Sequence, residues 1–284
     1  DTLIANNTIE LGGSNDSYSV RVAAGDVGAS RNIVDGVRII GNRITMARPG
    51  DPKPVNVGIM LITGDSPTTY DDPTYRPITY PDYNIIRNVW IEDNIIKGQG
   101  ERGIEIISGW RGTKYNTIKD VFVLGNLVDI GLFDAPLCIP PPPYGIVVTG
   151  GTSPVGPKRD TGPNEVSDIS IQWNTIRLSN PSPFVLHPEA VCGGGVIIHH
   201  AVNNVAAGIR VSHNDIAGGN IIDIGANGVP GMAQFPWFTV IMGSTQFLLD
   251  TSSSTPDRID DLEVECNRVV GPSTLIVNLQ YLAT

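Results

Sequence analysis

The sequence predicts an all-β repeat protein, a single solenoid domain of about seven coils with long loop insertions. The first observation is composition. Among 284 residues there are 34 Ile and 27 Val but only 15 Leu, and β-branched side chains favour strands over helices. The 32 Gly, 22 Pro and 21 Asn supply the turns between those strands. The second observation is a repeated motif, and the third is a β run that follows most copies of it.

The repeated motif is an apolar residue, any residue, an apolar residue, two further residues, Asn, any residue and a last apolar residue. It occurs seven times, in segments such as VRIIGNRI, VFVLGNLV and IRVSHNDI, with 32 to 53 residues between copies. Self-similarity of this kind is typical of solenoids. The repeated asparagines are Asn7, Asn42, Asn94, Asn126, Asn174, Asn214 and Asn267.

The positions five and three residues before each Asn and two residues after it form three columns. Twenty of these twenty-one positions are apolar, the exception being Thr2. Alternation with a period of two places the columns on one face of a strand. We therefore expect them to stack as the core of the solenoid.

A second β run follows most motif copies and is often led by Gly, as in VGIMLI, GIEII and YGIVVT. Each coil therefore supplies about three short strands. We expect residues 1–284 to form one domain, which could be a fragment of a longer chain. The largest predicted insertions are 63–88, 131–144, 150–168, 179–193 and 225–261.

With these motifs, nearly the whole chain resembles the right-handed parallel β-helix repeat proteins, the superfold of pectate lyases, polygalacturonases and phage tailspikes. In that superfold an Asn occupies a tight turn, where amides of successive coils hydrogen-bond to one another. The resemblance implies that the seven repeated asparagines form such a ladder. It also implies a secreted or cell-surface protein whose partner is a polysaccharide.

Charge and hydropathy exclude other classes of partner. The formal charge of −10 predicts no nucleic-acid binding, because that requires a basic face. No run of about 18 apolar residues occurs, so no membrane span is predicted. The first residues lack the basic and then apolar layout of a signal peptide.

Polysaccharide-active members of the superfold bind along the strand that follows the long loop. Its outward residues form a shallow groove there. Glu105 and Asp223 are the only acids of the corresponding column, three coils apart, or about 14 Å at 4.8 Å per coil. Paired glycosidase carboxylates are about 5 to 9.5 Å apart, so a simple paired-acid hydrolase is disfavoured. The predicted column is Arg21, Met60, Glu105, Val147, Ile197, Asp223 and Val277.

The candidate catalytic residues are His199, His200 and Asp223. A neutral His beside a carboxylate can act as a general base near neutral pH. Only one of two consecutive strand residues can face outward with Asp223. The candidate substrate-binding residues are the acid Glu105, Trp110 for stacking on a sugar, Arg111 and Lys114 for a uronate carboxylate, and Tyr75 and Tyr80.

The loop 63–88 combines tyrosines, acids and prolines. It suits carbohydrate contact, a lid over the flank of the coil, or Ca²⁺ ligation through Asp71 and Asp72. The sequence requires no cofactor, and Ca²⁺ is the one candidate. Cys138 and Cys192 fall in corresponding loops and could form a disulfide, whereas we expect Cys266 to be buried.

Two functional hypotheses follow. The first is an extracellular carbohydrate-active protein, a lyase, epimerase or hydrolase. VWIEDN resembles a calcium-binding VWID segment of pectate lyases, but their RxPxxR motif is missing, as are the NTD, DD, GHG and RIK signatures of polygalacturonases. The second hypothesis is a non-catalytic adhesin, stalk or tailspike-like protein. The apolar outward column favours burial under loops or against another copy in a homo-oligomer.

Overall fold

The computed structural model describes residues 1–11, 18–26, 29–48, 55–65, 80–109, 113–131, 144–150, 163–179, 194–200, 204–217, 220–226, 258–270 and 275–278. These residues form twenty β-strands, numbered β1 to β20 along the chain, and no helix. The predicted all-β fold is thereby confirmed.

The strands belong to three groups, called here the first, second and third sheets. The first sheet contains β1 (Thr2–Ala5), β4 (Ile33–Ile40), β7 (Ile85–Glu92), β9 (Thr117–Leu124), β12 (Glu165–Gln172), β15 (Val205–Ser212) and β18 (Arg258–Glu265). The second contains β2 (Thr8–Glu10), β5 (Arg43–Thr45), β10 (Leu127–Gly131), β13 (Thr175–Ser179), β16 (Asp215–Ala217) and β19 (Arg268–Val270). The third contains β3 (Tyr18–Asp26), β6 (Val55–Asp65), β11 (Tyr144–Thr149), β14 (Gly194–His200), β17 (Asn220–Ala226) and β20 (Leu275–Asn278).

The long strand β8 (Ile95–Ser108) joins the second and third sheets. Its first residues pair with β5 and β10, and its later residues pair with β6 and β11. The described strands pair in parallel, each with its counterpart in the next repeat. The chain thus passes through the three sheets in a constant order, and the predicted stacking of parallel strands is confirmed.

The core lies between the three sheets and is almost entirely aliphatic. In the fourth repeat, Val121 and Val123 of the first sheet and Val128 of the second are fully buried. The three predicted columns are buried through the middle of the stack. They become partly buried at its ends, as at Ile4 and Val264.

Strands of the first sheet contain one residue in the left-handed conformation, and the pairing registers skip it. In a regular strand, residues three apart face opposite sides. Because of the extra residue Asp120, Ile118 and Val121 both face the core. Gly, Asn and Asp tolerate that conformation best. The six described examples are Gly36, Asn88, Asp120, Asp168, Gly208 and Asp261.

A row of glycines crosses the third sheet where it packs on the second. A Cβ at Gly145 would lie 2.5 Å from both the Gly195 carbonyl oxygen and Ile176 Cγ2. A Cβ at Gly103 would lie 2.3 Å from Val128 Cγ1. The glycine that often leads the second β run is therefore required by close packing between sheets.

Candidate functional site

The seven repeated asparagines lie in one row at the edge between the first and second sheets. In the middle of the row, Asn126 Nδ2 donates to Asn174 Oδ1 at 3.0 Å and to the Ile91 carbonyl at 2.8 Å. Its Oδ1 accepts from both the Nδ2 and the backbone N–H of Asn94. Equivalent amide-to-amide bonds link every consecutive pair from Asn7 to Asn267.

A second asparagine ladder runs along the opposite edge of the first sheet, where the chain enters from the third. Asn116 Nδ2 donates to Asn164 Oδ1 at 3.1 Å, and Asn164 Nδ2 donates to Asn204 Oδ1 at 3.0 Å. Sequence analysis missed this ladder, although each member lies ten residues before an asparagine of the first ladder. Its described members are Asn32, Asn84, Asn116, Asn164 and Asn204.

The long insertions all adjoin the third sheet. The turn from the first to the second sheet has two residues in each repeat, whereas connections from the third to the first have between 4 and 31. Connections from the second to the third have up to 14, and the shared strand β8 needs none. Solenoids commonly build binding surfaces on the face where insertions collect.

The outward row of the third sheet follows the predicted order through its first six members. The seventh is a correction. Asp223 pairs with Ile276, and Val277 pairs with Ile224 instead. The expected position is therefore wrong by one residue. In the run Leu275–Asn278 the neighbouring residues Ile276 and Val277 are both apolar, so side-chain character alone does not determine which of them pairs with Asp223.

The middle of this outward row, from Met60 to Val147, is buried within the single chain. Glu105 is 3% exposed, Met60 4% and Val147 1%. Ile62 and Ile107, on the neighbouring outward row, pack in a separate cluster with Met60. The expectation of Glu105 as an exposed groove residue is therefore corrected, since its side chain lies among covered apolar residues.

Glu105 forms an ion pair with Arg102, whose Nη1 lies 3.3 Å from each carboxylate oxygen. Burial raises the pKa of Glu105, and this outweighs the lowering effect of Arg102. Burial of Arg102 works against its charge, but Glu105 and Glu101 raise its pKa. The arrangement keeps a charged pair inside an apolar layer, with a carboxyl that holds its proton more tightly than usual.

The three candidate catalytic residues lie on adjacent strands, β14 and β17. The backbone register pairs Asp223 with Ile197 and His199 with Gly225, so Asp223 and His199 are two positions apart along the strands. His200 pairs with Ala226. The side chains of these three residues lie outside the described part of the structure.

Two of the remaining candidate residues are described. The Lys114 N–H donates to Asp82 Oδ1 at 2.7 Å, and the Tyr80 carbonyl accepts from Ser30 and from the Asp82 N–H. Both therefore adjoin one hydrogen-bonded turn at the edge of the first sheet. The other predicted residues, Trp110, Arg111, Tyr75, Asp71 and Asp72, lie outside the described residues, as do Cys138 and Cys192.

Within the described residues, no group of three or more His, Cys, Asp or Glu side chains is arranged to hold a metal ion. The described residues also include no helix of the length and apolar character that crossing a membrane would need.

The outer side of the first sheet and its turns presents stacked rings, which sequence analysis also missed. The ring centroids of Trp90 and Phe122 are 5.5 Å apart, in register on adjacent strands. At the turns, Tyr83 stacks on Tyr115 at 4.8 Å, and Trp173 stacks on His213 at 4.2 Å. The sequence feature that could have revealed these stacks is an aromatic residue at the same distance from the ladder asparagine in adjacent repeats.

Charged pairs and a cysteine complete this side of the molecule. Arg210 Nε lies 3.3 Å from Glu263 Oε2, as the stacking of equivalent positions predicts, and Arg210 also pairs with Glu265. Cys266 is exposed and free, so the expectation that it is buried is wrong. It occupies a turn position with φ 53°, which directs its side chain away from the core.

Comparison with protein-family models, with curated proteins and with solved structures found no match to this chain.

Proposed function

We propose that the protein is an extracellular right-handed parallel β-helix of seven coils that binds or acts on a polysaccharide. The observation that carries this proposal is the contrast between connections. Turns from the first to the second sheet have constant length, whereas the insertions collect on both sides of the third sheet. That distribution is expected where one face of a regular stack is adapted to an extended ligand.

In this proposal His199 or His200 is the base and Asp223 orients it. Trp110 stacks on a sugar, with Arg111, Lys114, Tyr75 and Tyr80 as further contacts to substrate. Ca²⁺ is the candidate cofactor, with Asp71 and Asp72 as candidate ligands. The protein would be secreted or exposed at a cell surface.

The buried pair of Arg102 and Glu105 favours the catalytic form of the proposal. A carboxyl with a raised pKa in an apolar environment is the type of group that can act as a general acid. Glu105 and Asp223 stand three strands apart in one row, about 14 Å. They would therefore act on different sugar units and not as a carboxylate pair on one bond.

A second candidate, a non-catalytic adhesin, stalk or spike, is favoured by the covered outward row. Met60 and Val147 are nearly inaccessible to solvent, and substrate must reach a catalytic row. A structural β-helix has no such requirement.

A screen against neutral, acidic and amino polysaccharides, with and without Ca²⁺, tests the proposal. Unsaturated-product absorbance reports a lyase, and reducing ends report a hydrolase. Turnover that is lost in the double variant His199→Ala, His200→Ala would support the enzyme and its base. Binding without turnover would select a non-catalytic polysaccharide-binding form, and neither binding nor turnover on any polymer would contradict the proposed polysaccharide function and leave the stalk or spike.

A further inference from the structure

The residue before each asparagine of the first ladder occupies a turn that is exposed or half-buried. We call these seven positions the turn row. They all have left-handed φ, between 53° and 65°. Because five of the seven carry side chains, the backbone does not demand glycine here. The row consists of Asn6, Gly41, Asp93, Gly125, Trp173, His213 and Cys266.

Trp173 has one covered and one open ring face in this row. Its indole stacks on His213, with centroids 4.2 Å apart and an interplanar angle of 22°. On the opposite side, the next position is Gly125, which offers no side chain. Consistent with this, Trp173 remains 61% exposed.

Asp93 lies one repeat beyond Gly125, on the far side of the position where the turn row has no side chain. That position is called here the vacant level. A Cβ built on Gly125 would lie 2.5 Å from Asp93 Oδ1, so the carboxylate leans over the glycine. Among the described residues, no salt bridge or side-chain hydrogen bond involves this carboxylate. Asp93, Gly125 and Trp173 therefore frame an indentation, here called the Trp173 notch.

The notch has the depth of one ring. Adjacent repeats are about 4.8 Å apart, so the levels of Asp93 and Trp173 are separated by about 9.6 Å. A ring stacked on the indole would occupy the vacant level and reach the carboxylate with its edge. Half-buried Leu124 and Leu127 flank that level on either side of the turn.

We propose that the Trp173 notch binds one pyranose unit of a neutral polysaccharide. The axial C–H groups of a pyranose suit the indole face, and its hydroxyl groups can donate to Asp93. A uronate would place a second carboxylate beside Asp93 in a chain of net charge −10. The inference rests on the proposed function and adds a ligand class and a contact surface away from the third sheet.

The other turn stack provides a contrast. Tyr83 is covered by Tyr115 on one face, and Arg31 lies 5.9 Å from its ring centroid. That stack holds repeats together and presents no free platform on Tyr83. Trp173 differs because its stack is interrupted by a glycine.

The test uses calorimetry with hexasaccharides of β-linked glucose, xylose and mannose. A polygalacturonate hexamer and a chitosan hexamer provide the acidic and cationic comparisons. Trp173→Ala should weaken binding of the preferred neutral hexamer by about tenfold or more, because it removes the stacking platform. Gly125→His should abolish binding by filling the vacant level.

Gly41→His is the matched control. Gly41 has φ 65°, and a Cβ there would lie 2.6 Å from Asn6 Oδ1, so the substitution meets a similar environment at an equivalent turn. It should leave affinity unchanged. Circular dichroism of all three variants verifies that the fold is retained.

Three results would overturn the inference. If wild type binds a neutral hexamer and both Trp173→Ala and Gly125→His retain full affinity, the notch is not the site, although the proposed function survives. If only the chitosan hexamer binds the notch, the ligand is a cation. If no hexamer and no polymer binds wild type, the inference and the proposed function fail together.

Discussion

The first and third sheets of this protein are built under different constraints. The first is framed by two asparagine ladders, and in five repeats ten residues separate one ladder from the other. The third is flanked by connections whose lengths differ by tens of residues. The spacing between the ladders of the first sheet is therefore constant from repeat to repeat, whereas the connections beside the third sheet vary in length.

The difference indicates that the first sheet sets the register of the parallel stack. Each asparagine in the interior of a ladder has a buried amide that must bond to its neighbours and to nearby backbone groups. A change in turn length would therefore leave polar groups without partners. The third sheet is instead aligned by its glycine row and by the strands beside it. Its outer side can then vary without loss of register.

The largest expected effect is at the first ladder. Asn126→Ala would remove the acceptor of both the backbone N–H and the Nδ2 of Asn94, and it would remove the amide donor to the Ile91 carbonyl. The Oδ1 of Asn174 would keep the backbone N–H of residue 126. At about 1–3 kcal/mol for each unsatisfied group, we expect the free energy of unfolding to fall by about 3 kcal/mol or more. Urea denaturation followed by circular dichroism measures it.

Asn7→Ala is the control, because Asn7 is exposed at the first position of the ladder and its backbone N–H still donates to Asn42. It should cost about 1 kcal/mol or less. Equal losses in the two variants would show that the ladder does not stabilise the stack through its buried amides.

A smaller loss is expected in the third sheet from Gly145→Ala. The new methyl group would overlap the Gly195 carbonyl and Ile176, and overpacking of this kind costs about 1–3 kcal/mol. Ser19→Ala, at the equivalent position of the first repeat, should change stability by less than about 0.5 kcal/mol. A stability gain in Gly145→Ala would refute the close packing between sheets.

The next effect is a pH dependence with opposite signs in the two sheets. The pKa of Glu105 is raised by burial, so its contribution is greatest below the ordinary value near 4.5 and is lost as pH rises through the folded-state pKa. The pKa of Asp35 is lowered by hydrogen bonds from Asn88 and Arg87. Its contribution is present above the ordinary value near 3.8 and is lost as pH falls.

Unfolding free energies measured across pH 3 to 8 for Glu105→Gln and Asp35→Asn test these signs. Glu105→Gln should flatten the decline in stability on the alkaline side, and Asp35→Asn should flatten the decline on the acid side. If Glu105→Gln left the alkaline slope unchanged, the carboxyl would titrate as it does in the unfolded chain.

The smallest effect is expected for the exposed charges of the first sheet. Arg210 pairs with Glu263 and Glu265 at the surface, where each of the three side chains is about half exposed and such pairs contribute little. Glu263→Gln should leave the unfolding midpoint unchanged at physiological salt. A clear drop that salt abolishes would instead assign the pair a role in holding the last two repeats together.

The sequence predicted the parts of this fold that depend on periodicity. The first ladder and the three core columns recur at fixed offsets, so Asn126 and Val121 were recognisable without coordinates. The second ladder was missed because Asn116 stands before a strand, where asparagine is common. Only its constant spacing of ten residues from Asn126 distinguishes it.

The candidate site was less predictable, because exposure depends on what covers a strand. Glu105 was placed in the correct outward row by alternation, but alternation does not show whether an outward residue is covered. The Trp173 notch depends on Gly125 and Asp93 in two preceding repeats. To predict that these three residues are neighbours, one must know the pairing register of strands that are far apart in sequence.

The most direct test is hydrogen exchange of asparagine side-chain amides, measured by NMR on protein labelled with ¹⁵N only at asparagine. If two buried ladders frame the first sheet, the Nδ2 protons of Asn84, Asn94, Asn116, Asn126, Asn164 and Asn174 will be strongly protected, and those of exposed Asn7 will exchange rapidly. Exchange of the six at the rate of Asn7 would contradict the ladders and, with them, the constancy of the first sheet.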